Sequence, residues 1–290
     1  MTVLDDYRLE LGEGPGYDPA SGLAWWFDIV GRRLYTRADA GRGCGGATQV
    51  AGLPLAASAM AITEDGARQL LLAENGLYLR DPVSGALDLH LPLEADNPAT
   101  RSNDARVHPC GAFWISTMGW QAEPGAGSIY HYYRGRLQRL RDGVTIPNAI
   151  CFAPDGRIAY FADTARGVVF RVATDPATGL PQGAPEPFLS GLDGGPDGAV
   201  TDAAGAIWIA LWGAGRVAGF APDGRPVGSI ELGAAQVSCP AFIGADARRM
   251  LVTSARAGLD DAQLRASPEA GATFCVDLGF AGRFDPRVAL

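Results

Sequence analysis

Six copies of one short pattern run through the chain, and this repeat constrains the fold more than any other feature. Each copy has an apolar strand, a tight turn and a second apolar strand. The turn positions are Gly22, Gly66, Gly111, Gly156, Gly205 and Ala247. Consecutive turns are 42 to 49 residues apart, an interval typical of the blades of a β-propeller. The repeat therefore predicts six units that are built alike.

Further strands follow the second strand of each copy. Asn75-Gly76 predicts a hairpin turn before the third strand of the second copy. Weaker strand signals for a fourth strand lie at 87–93, 136–141 and 227–232, while the helical signal is confined to 258–267. The sequence thus predicts an all-β fold, a six-bladed β-propeller of four-stranded antiparallel blades, as a single domain over residues 1–290.

The two ends of the chain are expected to meet in the last blade. The sixth copy ends after its third strand, whereas the segment YRLEL at 7–11 precedes the first copy. Because closure removes an exposed sheet edge, we expect this N-terminal strand to complete the last blade. The segment GRGCGG at 41–46 has GxGxxG spacing, but it neither follows a Rossmann-type strand nor opens a helix. It is predicted to be a loop between strands.

Charge and composition exclude several classes of function. All 24 basic residues are arginine and the net charge is −8. Without lysine there is no Schiff-base or lysine general-base catalysis, and the acidic balance argues against nucleic acid or an anionic membrane as partner. Five scattered cysteines fit reduced thiols, and no signal peptide or apolar membrane span of ~18 residues is recognisable. These features predict a cytoplasmic protein without an obligate protein partner.

Polar residues recur at one place in the repeat, eight or nine residues before each turn. The six positions are Glu13, Ser58, Asn103, Asn148, Asp197 and Cys239. In a propeller, the first strand of each blade lines the central channel, so residues at the starts of these strands surround one mouth. Four of the six are Asp, Glu or Asn and can offer a carboxylate or amide oxygen. The alternative is that they are turn or cap residues bonded to local backbone.

Carboxylate and amide oxygens are ligands for hard cations. They suit Ca²⁺, Mg²⁺ or Mn²⁺, and Zn²⁺ or Fe²⁺ stays open. Two adjacent carboxylates would repel each other unless a cation lay between them. The pattern therefore predicts one divalent cation in an open site that polarises a carbonyl oxygen or activates water.

At these residues the chain resembles the senescence marker protein, gluconolactonase and luciferin-regenerating enzyme family, which includes regucalcin. The resemblance extends from Leu11 to Arg256. It implies a six-bladed propeller with one divalent metal in the channel and the hydrolysis of lactones, commonly sugar lactones. The matching segments are LGEGPGYDP, RSNDARVHPCGAFWISTM, IPNAICFAPDGRIAYFADT, GPDGAVTDAAGAIWIALWGAGRV and LVTSAR.

The resemblance also implies roles for single residues. It assigns metal binding to Glu13, Asn148 and Asp197, with Asp197 also placed to act as a base. Arg101 and Asn103 match the family's substrate-contacting pair. A further acidic substrate contact follows Thr117-Met118 in some members, and here Gln121 and Glu123 are alternative equivalents. Trp212 either flanks the mouth or packs in the interior.

These expectations lead to one predicted function and two alternatives. The predicted function is metal-dependent hydrolysis of a small sugar lactone, an aldonolactone, to the open-chain sugar acid. The first alternative is a lactonase or esterase for a non-sugar substrate. The second is a non-catalytic calcium-binding or protein-interaction propeller, which a large exposed apolar rim would favour.

Overall fold

A computed structural model describes residues 1–38 and 46–290 of the chain. Within these ranges, six four-stranded antiparallel sheets are present, which confirms the prediction of an all-β, six-bladed β-propeller. Contacts divide the chain into two compact units: unit 1 comprises Met1–Pro54 and Gly191–Phe284, and unit 2 comprises Leu55–Ser190 and Asp285–Leu290. Of the predicted loop at 41–46, all but Gly46 lies outside the described residues. The single domain over 1–290 stays a prediction.

Unit 1 holds the first, fifth and sixth sheets. The first consists of β2 (Gly12–Asp18), β3 (Leu23–Asp28), β4 (Arg33–Arg37) and β5 (Gln49–Gly52). The fifth consists of β18 (Gly195–Thr201), β19 (Ile207–Trp212), β20 (Arg216–Phe220) and β21 (Pro226–Glu231). The sixth consists of β22 (Val237–Ile243), β23 (Arg249–Ser254), β24 (Phe274–Asp277) and β1 (Thr2–Val3).

Unit 2 holds the second, third and fourth sheets. The second consists of β6 (Ala57–Ile62), β7 (Gln69–Ala73), β8 (Gly76–Arg80) and β9 (Leu87–Pro92). The third consists of β10 (Thr100–Val107), β11 (Phe113–Gly119), β12 (Gly127–Tyr133) and β13 (Arg136–Val144). The fourth consists of β14 (Pro147–Phe152), β15 (Ile158–Asp163), β16 (Val168–Ala173) and β17 (Glu186–Ser190).

The six turn residues predicted from the repeat all have left-handed backbone. Their φ angles run from 54° at Ala247 to 92° at Gly111, a region where glycine has no steric penalty. At Gly156 space is limiting as well, because a Cβ atom there would lie 2.9 Å from the His108 ring. The predicted phase of the repeat is therefore confirmed in all six sheets.

Each sheet has a β-bulge between its first and second strands. The breaks in pairing fall between Glu13 and Gly16, Ala57 and Ala59, Ser102 and Ala105, Asn148 and Cys151, Pro196 and Ala199, and Val237 and Pro240. A bulge bends the strand and turns side chains away from the regular alternation. Every first strand therefore has a bulge at the same place in the repeat, and the bulge changes the direction of the side chains there.

The N-terminus does complete the sixth sheet, but the predicted segment YRLEL is the wrong one. The pairing strand is β1, which is antiparallel to β24. Within 7–11, Leu9 is fully buried in a hydrophobic cluster, and only Leu11 forms an isolated bridge, with Ala255. Leu9, one of the apolar residues that suggested a strand at 7–11, packs into the core instead.

Deleting residues 1–4 is therefore expected to destabilise the protein, because it removes β1 and exposes the edge of β24. The loss of a few backbone hydrogen bonds corresponds to roughly 1–2 kcal/mol, or a decrease in Tm of roughly 2–4 °C for a chain of this length, with increased aggregation through the open edge. Differential scanning calorimetry and light scattering measure both effects. The control Thr2→Ala with Val3→Ala keeps the backbone pairing and should change Tm much less. A truncated protein as stable and monomeric as the parent would contradict closure by β1.

The helical signal corresponds to α1 (Asp261–Ala266), where Asp260 and Gln263 form a capping box. Cys110, Cys151 and Cys239 are reduced thiols. Cys275 is disulfide-bonded, so the expectation of reduced thiols is wrong there, because spacing in sequence does not report proximity in space. In the described part of the chain, no helix is long and apolar enough to cross a membrane.

Candidate functional site

The candidate oxygen donors lie at the β-bulges, in two different positions. Glu13 and Asn148 are the last paired residues before the break in their strands. Asn103 and Asp197 are the first residues inside the break. The sequence pattern, a polar residue eight or nine residues before the turn, does not distinguish these two positions. In a regular strand they would differ, because neighbouring residues point to opposite faces of the sheet. A bulge can turn side chains from both positions toward the same face of their own strand.

The backbone after Glu13 and Asn148 has the same conformation in both strands. Gly14 and Ala149 each have a φ of +53°, as expected where a left-handed residue opens a bulge. Glycine adopts this conformation freely, whereas Ala149 carries the steric cost of its Cβ atom. The two proposed ligands therefore share one local geometry, although they belong to different units.

All the principal candidates are buried. Glu13, Arg101, Asn103, Asn148 and Asp197 are between 5% and 9% exposed. Buried carboxylates and amides are stable only with hydrogen-bond partners, a compensating charge or a bound cation. Each of the five side chains is therefore expected to have such a partner.

In unit 2, hydrogen bonds join three of the candidates into one network. Nη1 of Arg101 donates to Oδ1 of Asn103 at 2.9 Å. Nδ2 of Asn103 donates to Oδ1 of Asn148 at 2.8 Å and to the carbonyl of Pro147 at 3.0 Å. Nδ2 of Asn148 donates to the hydroxyl of Thr164 at 2.9 Å. The asparagines thus bond across neighbouring strands β10 and β14, and the network fixes which way each amide points.

Asp104 is a buried residue of this network that the sequence analysis missed. Its Oδ2 accepts the N–H of Ile150 at 2.7 Å, and its Oδ1 accepts the N–H of Ala105 at 2.8 Å. Burial raises the pKa of Asp104, and the charge of Arg106 opposes this shift. The carboxylate therefore ties the bulge of β10 to that of β14. The available signal was an acid directly after Asn103 in a strand with an unusual number of polar residues, TRSNDARV.

In unit 1, Glu13 and Asp197 lie on strands that both pack against β22. Oε2 of Glu13 accepts the N–H of Gly14 at 3.1 Å. Next to Asp197, a Cβ atom on Gly198 would lie 2.3 Å from Sγ of Cys239. Glycine after Asp197 is therefore needed for the close approach of β18 and β22, which explains that part of the GPDG segment.

The other two repeat positions pack between strands. Ser58 is 1% exposed and donates to the hydroxyl of Ser102 at 2.9 Å. Cys239 is fully buried beside Gly198. Both residues therefore join neighbouring first strands.

Gln121 and Glu123 lie in the turn between β11 and β12, and both are exposed. Oε2 of Glu123 accepts the N–H of Gln121 at 3.1 Å, so this carboxylate stabilises the turn itself. The same turn carries Trp120, which lies beside Arg101 at 5.8 Å from guanidinium carbon to ring centroid. Trp212, at the end of β19, is likewise partly exposed.

The side-chain oxygens of Glu13, Asn148 and Asp197 are the donor atoms that a divalent cation would need. Across residues 1–38 and 46–290, no three His, Cys, Asp or Glu side chains form a cluster able to hold a metal. Two carboxylates and an amide oxygen are a different set, which suits a hard cation. Of the two lone pairs on Oδ1 of Asn148, one accepts the Asn103 hydrogen bond, and the second can coordinate. Glu13, Asn148 and Asp197 therefore fit a hard divalent cation by chemistry.

Comparison with known proteins gives consistent matches along the chain. Residues 11–256 match the family described as the SMP-30/Gluconolactonase/LRE-like region. A protein of Rhizobium meliloti (strain 1021), whose name provisionally assigns it sugar lactone lactonase activity, is 48% identical over 99% of this chain and 97% of its own length. L-arabinolactonase of Azospirillum brasilense is 34% identical over 99% of this chain and 95% of its own length.

A solved structure shows the same similarity. Regucalcin of Agrobacterium tumefaciens str. C58, described as a calcium-binding protein, superposes with a TM-score of 0.95. It is 48% identical in sequence, and the match covers 99% of this chain and 97% of that protein. The similarity thus covers both units.

Proposed function

Because this chain belongs to the SMP-30/gluconolactonase/LRE-like family, we propose that it is a lactonase that hydrolyses sugar lactones. The observation that carries the proposal is the buried network of Arg101, Asn103 and Asn148, which presents fixed hydrogen-bond donors and acceptors. The lactonase names of two relatives that match almost the whole chain support it. The substrate class proposed is a small aldonolactone, and the product is the open-chain sugar acid.

Metal dependence is part of the proposal. We assign one divalent cation to Glu13, Asn148 and Asp197. Each of these residues lies at the bulge of the first strand of its sheet, and in a propeller such strands line a common channel. The calcium-binding description of the A. tumefaciens protein supports Ca²⁺ as one candidate. A bound cation of this kind polarises the carbonyl oxygen of an ester.

The chain's own residues would carry out the remaining steps. Asp197 accepts a proton from the attacking water, whose oxygen forms a bond to the lactone carbonyl carbon. The ring C–O bond then breaks, and the proton passes to the leaving ring oxygen, which gives a hydroxy acid. Arg101 donates hydrogen bonds to substrate oxygens, while Asn103 holds Arg101 and Asn148 in register through the bonds described above. Neither Gln121 nor Glu123 is required for this step, and both stay candidate substrate contacts.

A panel of lactones tests this function. Purified protein loaded with Ca²⁺, Mg²⁺, Mn²⁺ or Zn²⁺ is assayed against pentono- and hexonolactones, a hydrophobic lactone and a simple ester, with spontaneous hydrolysis subtracted. We expect turnover of at least one aldonolactone, abolished by EDTA and restored by metal. Turnover confined to the hydrophobic lactone or ester would favour the non-sugar alternative. Absence of any turnover, with metal bound, would favour a non-catalytic cation-binding protein.

A further inference from the structure

Trp120 occupies a position that the assignments above leave without a role. It follows the last residue of β11, where the end of that strand lies beside the start of β10, and Arg101 pairs with Met118 in this register. The N–H of Trp120 donates to the carbonyl of Ala99 at 3.1 Å. The backbone therefore fastens Trp120 directly beside the strand that carries Arg101.

The indole of Trp120 is half-buried, unlike most tryptophans of the chain, which are buried. Four others are at most 5% exposed and belong to the interior. These are Trp25, Trp26, Trp114 and Trp208. A large aromatic side chain at a partly exposed position retains apolar area that can be covered by a ligand. Its guanidinium neighbour supplies the hydrogen-bond donors that an aromatic face lacks.

The turn after Trp120 is fixed by its own hydrogen bonds. The N–H of Ala122 donates to the carbonyl of Gly119 at 3.0 Å, and the N–H of Ala126 donates to the carbonyl of Glu123 at 3.1 Å. A Cβ atom on Gly119 would collide with the folded-back Glu123 carboxylate. Trp120 therefore stands on a rigid support, so little conformational entropy is lost when a ligand covers it.

We propose that Trp120 contacts the substrate, its indole covering the C–H face of a polyhydroxylated lactone ring while Arg101 binds the ring's oxygens. A sugar ring has hydroxyl groups at its edge and apolar C–H groups on its faces, so a flat aromatic surface beside a planar donor matches both. This inference rests on the proposed lactonase function and specifies the substrate class as cyclic sugars. The cation–π contact between Arg101 and Trp120 helps to hold the two side chains in this arrangement.

The test compares Trp120→Leu and Trp120→Phe with the control Tyr133→Leu. Tyr133 also stacks with an arginine, Arg134, at 5.2 Å, but at the opposite end of the same sheet. For the aldonolactone that the parent turns over best, Trp120→Leu should raise KM about 10-fold or more with kcat within about 3-fold, because uniform binding energy is lost. Trp120→Phe should raise KM less, and Tyr133→Leu should leave both constants near the parent values.

Ligand binding next to Trp120 is also measured without turnover, by fluorescence. The parent's tryptophan emission is titrated with the cyclic sugar that corresponds to the best lactone, which keeps the ring but lacks the ester, and we expect a saturable change that is absent in Trp120→Phe. Thermal melting of each variant verifies folding. Unchanged KM in a folded Trp120→Leu, or a loss of kcat alone, would overturn the substrate contact. A parent inactive on every lactone would instead overturn the proposed function, which keeps the two failures distinct.

Discussion

Replacing Asp197 by Asn is expected to slow lactone hydrolysis by roughly 10²- to 10⁴-fold even when the cation site is saturated, the usual contribution of a positioned general base. The substitution preserves side-chain volume and an oxygen able to face a cation. It removes one negative charge and the ability to accept a proton. Cation affinity should therefore fall as well, but excess cation refills the site by mass action and does not restore the base.

Glu13→Gln is the matched comparison, since Glu13 is assigned to coordination alone. Both carboxylates are buried, at 9% exposure for Glu13 and 5% for Asp197, so the two substitutions remove charge from similar surroundings. We expect excess cation to recover a large share of the activity of Glu13→Gln and little of that of Asp197→Asn. The measurement is lactone turnover across a metal titration, with occupancy determined independently by calorimetry. Full recovery of Asp197→Asn at saturating metal would contradict the role of Asp197 as base.

The fold was predictable because its constraints are local and repeated. A left-handed turn residue such as Gly156 is required wherever the first two strands of a sheet connect, and it recurs once per sheet. Even Ala247, the one turn without glycine, was found from spacing alone and has the same backbone conformation. A turn residue between two apolar strands is weak evidence when it occurs once. Six occurrences at a regular spacing are strong evidence for a repeat fold.

The closing strand was mispredicted because it is too short to have a pattern. β1 is two residues long, whereas Leu9 and Leu11 supply the alternation expected of a strand. Leu9 is apolar because it is buried in the core. At Leu9 the apolar pattern therefore marked burial and not strand pairing.

The candidate site was predictable in its residue types but not in its connections. Oxygen-bearing residues at repeat positions marked Asn103 and Asn148, yet nothing in the sequence shows that one donates to the other at 2.8 Å. Asp104 and Trp120 were missed because their partners, Ile150 and Arg101, are defined by strand pairing and turn geometry rather than by spacing to a turn. Such residues are recognisable only once neighbouring strands are placed side by side.

Replacing Arg101 by Leu is expected to lower kcat/KM by roughly 10- to 10²-fold, equivalent to the loss of a charged hydrogen-bond donor at the substrate. The guanidinium donates to the carbonyl of Ser102 at 2.8 Å and to Oδ1 of Asn103 at 2.9 Å. Asn103 keeps two further bonds, through its amide nitrogen to Pro147 and Asn148. Asn148 should therefore stay in place, and cation affinity should change less than about 3-fold.

Asn103→Leu is the comparison variant for Arg101→Leu, because it is expected to change cation binding as well as turnover. It removes the donor to Oδ1 of Asn148 and leaves the buried carbonyl of Pro147 without that bond, which costs roughly 1–3 kcal/mol. Since Asn148 then loses its orientation, cation affinity should fall about 10-fold along with turnover. Calorimetric titration of both variants with Ca²⁺, beside their lactone kinetics, separates the two effects. If Arg101→Leu loses the cation as readily as Asn103→Leu does, Arg101 acts on the cation site through the network, and its assignment to the substrate is wrong.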